Sequence, residues 1–550
     1  MIGAAGTIYL FMRGFTNDNF YNLYIYPSSL LLASYFTVKS VQYVNTGNTA
    51  SKKDIFAKTK KPKTGFSLPT VKGILHLTKP TMGIGIEAGA GGGKSVLIKR
   101  ILHQAGLQGY AGVLYDYEGD CREEDGAELS KTIMSSIKKY NENQKKKKSI
   151  FSKHKDFGTL GFAYLNFGDP SRTVRVNPLN PKYQDSALDL KEIAITLMTN
   201  LEPEWLKKKD FWAGNAINYA DGILRRIYND PELHRYLSIP HLAMICTHNY
   251  ETVFNWLLQD PSIERLIMPL YVAYKEDAKQ QLAGAVSSAA LPITKLLDPR
   301  IMYPLSPPTE EEEFNLDITH KKDAVFLCIG TIPKNKFALG PVCSLILLIC
   351  MNNMNRFGKR KSLFVADELP TLFIPNLDNL PATARKKGVT TILSWQSFKQ
   401  LEDNYGKDKA IITRDNLSNQ FVGKTRNNES AKNIIEFFGK HDVIKENITS
   451  SENGESIAFQ FQKEDVLQAS DVLNQNIGHF TGVLADGEPP LFHTQFDYFE
   501  PKLTEIPIFS RKWNTGEESV DQSLMDKEVQ ENYIRIEREI NELMKPYDKV

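Results

Sequence analysis

Eight consecutive residues, Ala88-Gly89-Ala90-Gly91-Gly92-Gly93-Lys94-Ser95, stand between a strand-like run, GIGIEA, and a helix-patterned one, SVLIKRILHQA. That is the setting a phosphate-binding loop requires. Positions without side chains let successive backbone N–H groups turn inward around phosphate oxygens, and the helix N-terminus adds partial positive charge. In this frame Lys94 reaches the β- and γ-phosphates of a nucleotide, and the Ser95 hydroxyl ligates Mg²⁺. The general pattern GxxxxGK[ST] begins with glycine, whereas Ala88 stands first here. Alanine fits that place if the turn has negative φ. The other half of such a site is an apolar strand ending in acid, and Leu363-Phe364-Val365-Ala366-Asp367-Glu368 supplies one. Asp367 would hold Mg²⁺ through its water shell, and Glu368 would orient or deprotonate the attacking water. An isolated strand ending in two solvated acids would look the same; the loop upstream gives the pair its chemical reading.

Lys94 and Asp367 lie 273 positions apart, far more than one strand–helix–strand step needs. Something large is inserted between them. Residues 187 to 300 are helix-patterned with few β-branched runs, and Trp212, Ala216, Ala220, Leu224 and Ile227 recur along one helical face. On either side the chain alternates strands and helices. AGVLYDY and FAYLNF come before the block, and DAVFLCIGTI, SLFVADEL, TTILSWQ and NQFVGKT come after it. The spacing therefore predicts one α/β nucleotide-binding domain, interrupted by an all-α domain and resumed afterwards. The expected boundaries are a membrane anchor over 1–45, a linker over 46–80, the nucleotide-binding domain over 81–186 and 301–500, the all-α domain over 187–300, and a tail over 501–550. In the tail Val529, Tyr533, Ile536, Ile540 and Leu543 are spaced four-three-four-three, a two-heptad amphipathic helix. The runs Lys145–Lys148 and Glu310–Glu313 are expected to be solvated loops, with a nucleic-acid role for the lysines as the alternative.

The chain of 550 residues is too long for one compact domain, and 41% hydrophobic residues exclude a wholly disordered one. With 67 Lys+Arg against 65 Asp+Glu the net charge is +2, so any surface for an anionic polymer has to be local. Five cysteines without CxxC spacing make a disulfide scaffold or zinc module improbable and fit a reducing compartment. At the amino end Met1–Met12 and Phe20–Val38 are free of charge, and the second is about long enough to span a bilayer. Tyr21, Tyr24 and Tyr26 suit an interfacial belt, and Lys39 through Lys63 place the downstream side in the cytoplasm. A buried hairpin of the soluble part is the competing reading.

The stretch DELPTLFIPNLDNLPATARKKGVTTILSWQSFKQLEDNYGKDKA resembles the motor signature of TraG/TraD-type coupling proteins, the conjugative DNA-transfer ATPases of type IV secretion. So do the alanine-first loop, Asp116 followed by Glu118 and Gly119, Asn177-Pro178-Leu179, and DFWAGNA at Asp210–Ala216. The likeness is diffuse over about 80–500 and dense around 360–425. It implies a RecA-like P-loop nucleotide-binding domain interrupted by an all-α domain, with an N-terminal transmembrane segment. It implies that Gln396 senses the γ-phosphate or positions water, the alternative being a glutamine that merely caps a strand. It also implies that Arg385 reaches a neighbouring subunit's nucleotide, the alternative being a surface arginine. Where the family carries a basic residue between the acids, Tyr117 stands here, and the roles of Asp116 and Glu118 stay open.

What the resemblance implies as a whole is an ATP- and Mg²⁺-dependent, ring-forming DNA translocase of the bacterial inner membrane, a homo-hexamer with its motor in the cytoplasm. Its partners would be DNA, gripped with little sequence preference, a relaxase complex, and the components of a type IV secretion channel. Two alternatives remain. One is another RecA-like pump, for chromosome segregation or secretion assembly. The other is a substrate-docking receptor whose ATP binding serves assembly alone.

Overall fold

The computed structural model describes residues 55–57, 60–61, 64–150, 159–207, 211–276, 278–451, 454–509 and 520–548. The segment expected to anchor the chain in a membrane, 1–45, lies outside the described residues.

Two compact units are formed. One holds Phe56–Phe438 and Leu467–Val550; the other contains Gly439–Val466. Among the described residues thirteen strands run in chain order: β1 Phe66–Thr70, β2 Gly73–Leu77, β3 Ile84–Glu87, β4 Ala111–Asp116, β5 Gly161–Asn166, β6 Val325–Gly330, β7 Ser362–Ala366, β8 Val389–Trp395, β9 Asn419–Val422, β10 Lys440–Ser451, β11 Gly454–Asp465, β12 His479–Val483 and β13 Leu491–Gln495. Of the helices, α1 Lys94–Leu107, α2 Glu128–Ile150, α3 Ala187–Leu201, α4 Phe211–Tyr228, α5 Ile239–Cys246, α6 Lys279–Ile293, α7 Lys336–Met354, α8 Phe398–Tyr405, α9 Asn428–Glu436 and α10 Gln522–Met544 carry the argument.

Nine strands make the central sheet of the larger unit, in the order β13-β12-β9-β3-β8-β7-β4-β6-β5. From β9 to β5 all neighbours are parallel, while β12 is antiparallel to β9 and to β13. A parallel sheet is covered on both faces, so its strands must be apolar throughout. β7 shows how the alternation divides the core. Leu363 and Val365 join the cluster that takes in Ile98, Ile101 and Leu102 of α1 and Ile133 and Ile137 of α2. Phe364 and Ala366 join the cluster built with the helical block between β5 and β6 and with α7.

That second cluster changes the expected organisation. Residues of α3, α4 and α5 share one continuous core with α7 and the sheet. The cause is α7, which is buried on nearly every side from Leu339 to Met354 and packs against both. Among the described residues, Pro333–Met354 is the one helix long and apolar enough to cross a membrane, and it is this core helix. The helices start where side chains can serve the exposed N–H groups of the first turn. Before α3, Ser186 Oγ accepts from Leu188 N–H, and Asp189 Oδ2 accepts from the Ser186 N–H, a capping box.

Four expectations differ from the structure. The span 46–80 is not linker throughout, because Phe66, Leu68, Leu75 and Leu77 alternate with polar positions and close a buried antiparallel pair, β1–β2. The lysine run lies on α2 instead of a loop, with Lys145 and Lys146 exposed. Glu313, expected in solvent, has a side chain only 5% exposed, held by Lys182 Nζ at 2.7 Å and Asn180 Nδ2 at 2.8 Å. Trp212 departs from its helical face and is 43% exposed, lying against Gly284 of α6. The tail helix α10 docks on this same unit. Met525, Val529, Ile536, Ile540 and Met544 are buried, and Asn532 among them accepts from Arg175 Nη2 at 2.7 Å.

Within the smaller unit Gly439–Val466 forms a hairpin. β10 and β11 pair antiparallel in register from Lys440 opposite Asp465 to Ser451 opposite Gly454. Twelve residues a strand at about 3.3 Å each give an arm roughly 40 Å long.

Candidate functional site

The glycine-rich loop leaves the C-terminal end of β3 and opens α1, with Gly93 in the left-handed region as N-cap and Lys94 as first helical residue. Gly91 and Gly93 have φ of 70° and 97°, which side chains disfavour. At Gly92 the obstacle is space, because a Cβ there would lie 2.9 Å from both Ala88 Cβ and the Gly89 carbonyl oxygen. Among the described residues only Ala127 and Asn376 combine positive φ with a side chain, so Ala88 and Ala90 meet no backbone conflict. The loop is pinned at its edges. Gly89 N–H donates to the Lys424 carbonyl at 2.8 Å, Gly92 N–H to the Gly89 carbonyl at 2.9 Å, and Gly478 N–H to the Gly92 carbonyl at 3.2 Å.

The acid pair follows β7, and in the sheet β8 lies between β3 and β7, paired in parallel with both. Loop, acids and Gln396 therefore stand in a row on three adjacent strand ends. Lys94 Nζ donates to Glu368 Oε2 at 2.6 Å and to the Asp367 carbonyl at 3.0 Å. Gln396 N–H donates to the other carboxylate oxygen, Glu368 Oε1, at 3.3 Å. Asp367 Oδ1 is buried, has no hydrogen-bond partner and lies 3.9 Å from Lys94 Nζ. Burial pushes the Asp367 carboxyl up to about 7; Lys94 opposes the shift and the Asp116 and Glu368 carboxylates add to it. Ser95 is exposed on the first turn of α1.

A glycine-rich loop with no room for a Cβ at Gly92, an ammonium group at its exit and an orphaned buried carboxylate oxygen fit a nucleotide triphosphate and its divalent cation. Lys94 and the Gly89–Gly93 backbone could take the phosphates, and Ser95 and Asp367 the cation.

Not all singled-out residues meet here. Arg385 is exposed on a 3-10 turn ahead of β8, at the opposite end of the strand from Gln396. Seven residues of β8 put roughly 23 Å between the two ends. Asp116 is buried and accepts from the Ser130 N–H at 3.1 Å and the Ser130 hydroxyl at 2.7 Å, tying the end of β4 to α2. Burial raises its carboxyl to about 6 against those two donors.

Sequence reasoning missed Glu87. This acid ends β3 directly before the loop, is 4% exposed, and accepts from the Trp395 indole N–H at 3.0 Å. Its signal was present, since an acid closing a fully apolar strand needs a buried partner. The partner lies 308 positions away. The carbonyl of Lys424 and the backbone of Gly478, which border the loop, carry no side-chain signal at all.

Comparisons with known proteins bear on this geometry. Residues 361–476 match the family model described as the TraM recognition site of TraD and TraG. Coupling protein TraD of Escherichia coli (strain K12) is 28% identical over 161 residues, 27% of this chain and 22% of that relative's length. Among solved structures, the bacterial conjugative coupling protein TrwBdeltaN70 in its unbound monoclinic form superposes with a TM-score of 0.57 at 17% identity. That match covers 83% of this chain and 92% of the other. Plasmid coupling protein TrwB in complex with the non-hydrolysable ATP analogue ADPNP gives 0.56 at 18% identity, covering 84% and 95%. TrwB in complex with ADP and Mg²⁺ gives 0.56 at 16%, covering 84% and 94%. At such identities the superpositions show a shared fold: an α/β architecture with a large, mainly parallel central sheet.

Proposed function

We propose, from the premise that the chain resembles TraG/TraD-type coupling proteins in sequence and TrwB in fold, that it is an ATP-driven DNA translocase coupling a relaxase-bound substrate to a type IV secretion channel. The observation that carries the reading is the row Lys94–Glu368–Gln396 across β3, β7 and β8. Binding alone needs no carboxylate beside the phosphate lysine; hydrolysis does.

The chain's own groups divide the work. In the structure Lys94 is held by Glu368. An incoming triphosphate offers Lys94 a more highly charged partner, so its ammonium moves to the phosphates and Glu368 is released to orient and accept a proton from water. The Ala90, Gly91 and Gly93 N–H groups of the loop would hold the phosphate oxygens, since those of Gly89 and Gly92 are given to backbone carbonyls, and Gln396 stands on the next strand end, where it can fix the water or feel the γ-phosphate. A Mg²⁺ ion held by Ser95 and Asp367 would neutralise developing charge on the phosphoryl oxygens. Arg385 stands at the far end of β8 from this site, which supports the reading, taken from the resemblance, that it serves the site of a neighbouring subunit in a closed ring of six.

The remaining parts of the reading rest on the resemblance: an inner-membrane anchor over 1–45, a cytoplasmic motor, and DNA near the ring axis. DNA-stimulated hydrolysis tests the whole. ATP turnover that rises with added DNA, with affinity falling steeply in salt, is the expected result. A chain that binds ATP yet shows no turnover with or without DNA would be a docking receptor instead.

A further inference from the structure

Gln396 must be aimed to within a fraction of an ångström, yet it sits on a turn between β8 and α8. The residues around that turn converge on one buried carboxyl. Glu87 Oε2 accepts the Trp395 indole N–H, one residue before Gln396. Two residues after Gln396, the Phe398 N–H at the head of α8 also faces the Glu87 carboxyl. The Ser397 side chain, at the N-cap, provides no cap of its own there. The indole has its place because Gly85 of β3 leaves room for it; a Cβ at Gly85 would come within 3.4 Å of the Trp395 ring. The backbone adds one more tie, the Ala88 N–H to the Trp395 carbonyl at 3.2 Å. Glu87 itself has nowhere to relax: it is 4% exposed, with the buried Ser430 hydroxyl also facing its carboxyl.

We propose that Glu87 is a positioning residue for hydrolysis: by gripping Trp395 and the first turn of α8 from the strand that feeds the phosphate loop, it fixes Gln396 against Glu368. The grip closes a circuit. Glu87 enters the loop and Lys94 leaves it; Lys94 holds Glu368, Glu368 accepts from Gln396, and Gln396 follows Trp395. Loop and water-positioning turn are thereby one mechanical piece, so filling the loop and aiming Gln396 are coupled. The proposal rests on the reading of the site as a nucleotide-hydrolysing one.

Three variants of the full chain test it. Glu87→Leu removes the acceptor and strands a buried indole N–H, so it is expected to lower both stability and turnover. Trp395→Phe removes the donor. The double variant Glu87→Leu/Trp395→Phe leaves no stranded indole N–H, because both partners of that bond are replaced by apolar groups, and so regains much of the stability that Glu87→Leu loses. If Glu87 positions Gln396, the double variant melts near the parent temperature and still loses about 10²-fold in kcat, the scale of a small misplacement. KM for ATP stays within about threefold, because the loop itself is intact. Glu87→Gln, whose amide oxygen can still accept from the indole, recovers most of the turnover. A double variant with parental kcat would overturn the proposal, as would Glu87→Gln failing as badly as Glu87→Leu, or a loss confined to KM. Lys94→Ala measured in parallel separates the two levels. Normal turnover there would remove the site itself, whereas a dead Lys94→Ala beside an active double variant would remove only the role of Glu87.

Discussion

At the C-terminal ends of β3, β8 and β7 the charged groups are buried and face one another, with Lys94 on Glu368, Asp367 beside them and Glu87 on Trp395. At the N-terminal ends of β7 and β8 the charges point outward. Lys361, Arg385 and Lys386 are exposed, next to Phe357 at 75% exposure. Arg360 is turned in, donating to the Gly109 carbonyl and the Tyr140 hydroxyl, and half-buried Lys387 donates to the Asn355 carbonyl at 2.7 Å. The contrast is one of completeness. Buried charges that satisfy each other make a site whose work begins when a ligand rearranges them, whereas exposed cations at a strand end act on something brought from outside.

The sharpest way to break that comparison is at the buried end. Lys94→Ala should reduce turnover on the order of 10³-fold or to nothing, leaving the fold intact, because a partly exposed cation is removed and no core group. Glu368→Gln should stall hydrolysis as completely while still binding ATP, since Asp367 and the loop remain. Binding of a labelled nucleotide alongside phosphate release distinguishes the two. If both variants turn over normally, the buried cluster is structural and the chemistry lies elsewhere.

At the exposed end Arg385→Ala should lose on the order of 10³-fold. Unlike the first loss, this one should be repaired by mixing. Arg385→Ala subunits keep a good loop and Lys94→Ala subunits a good arginine, so co-assembly regenerates some complete boundaries and some activity. Co-assembled mixtures that stay dead would place the role of Arg385 inside its own subunit.

Which of this could be read from the chain follows from the range of the contacts involved. The loop, the acid pair and the strands that carry them, β3 and β7, are local patterns, and the structure forms them where the sequence predicts them. The row of Lys94, Glu368 and Gln396 needed only the order of the strands. What escaped depends on distant partners. Glu87 is one residue from the loop but finds Trp395 across 308 positions. Glu313 looked like one acid in a solvated run, yet Asn180 and Lys182 draw it inside. The tail heptad predicted an amphipathic face without saying what covers it. The answer includes the polar links from His241 to Glu539 at 2.8 Å and from Arg175 to Asn532.

A smaller effect separates the two ends by pH. Asp367, held near 7 by burial, can serve a cation only as carboxylate. Below about pH 7 the ion must displace a proton, so apparent Mg²⁺ affinity in the presence of nucleotide should fall about tenfold per unit. Stability of the metal-free protein runs the other way. The folded value lies above the ordinary 3.8, so stability is lost as pH rises from there to about 7 and is level beyond. Asp367→Asn should flatten both profiles. Mg²⁺ titrations at pH 6 and 8 that coincide in the parent would show that the carboxyl is ionised throughout.

The smallest expected effect decides whether the exposed end works through one group or through its whole field. Lys361 and Lys386 are as exposed as Arg385 and stand at neighbouring strand starts; the hydrogen bond from the Ser362 N–H to the Gly388 carbonyl ties the two turns together. If Arg385 acts by inserting a planar guanidinium among phosphoryl oxygens, geometry matters and the lysines contribute only long-range attraction, which salt screens. Lys361→Ala and Lys386→Ala should then change turnover by no more than about twofold at moderate salt, with the difference shrinking further as salt rises. Arg385→Lys, which keeps the charge and loses the fork, should be nearly as damaged as Arg385→Ala. If the end acts instead as a cationic field, the order reverses: Arg385→Lys is mild, each lysine costs as much as the arginine, and all three losses grow at low ionic strength. Turnover of the four variants across a salt series separates these patterns, and the second would replace a single inserted arginine with a broad cationic surface for phosphate.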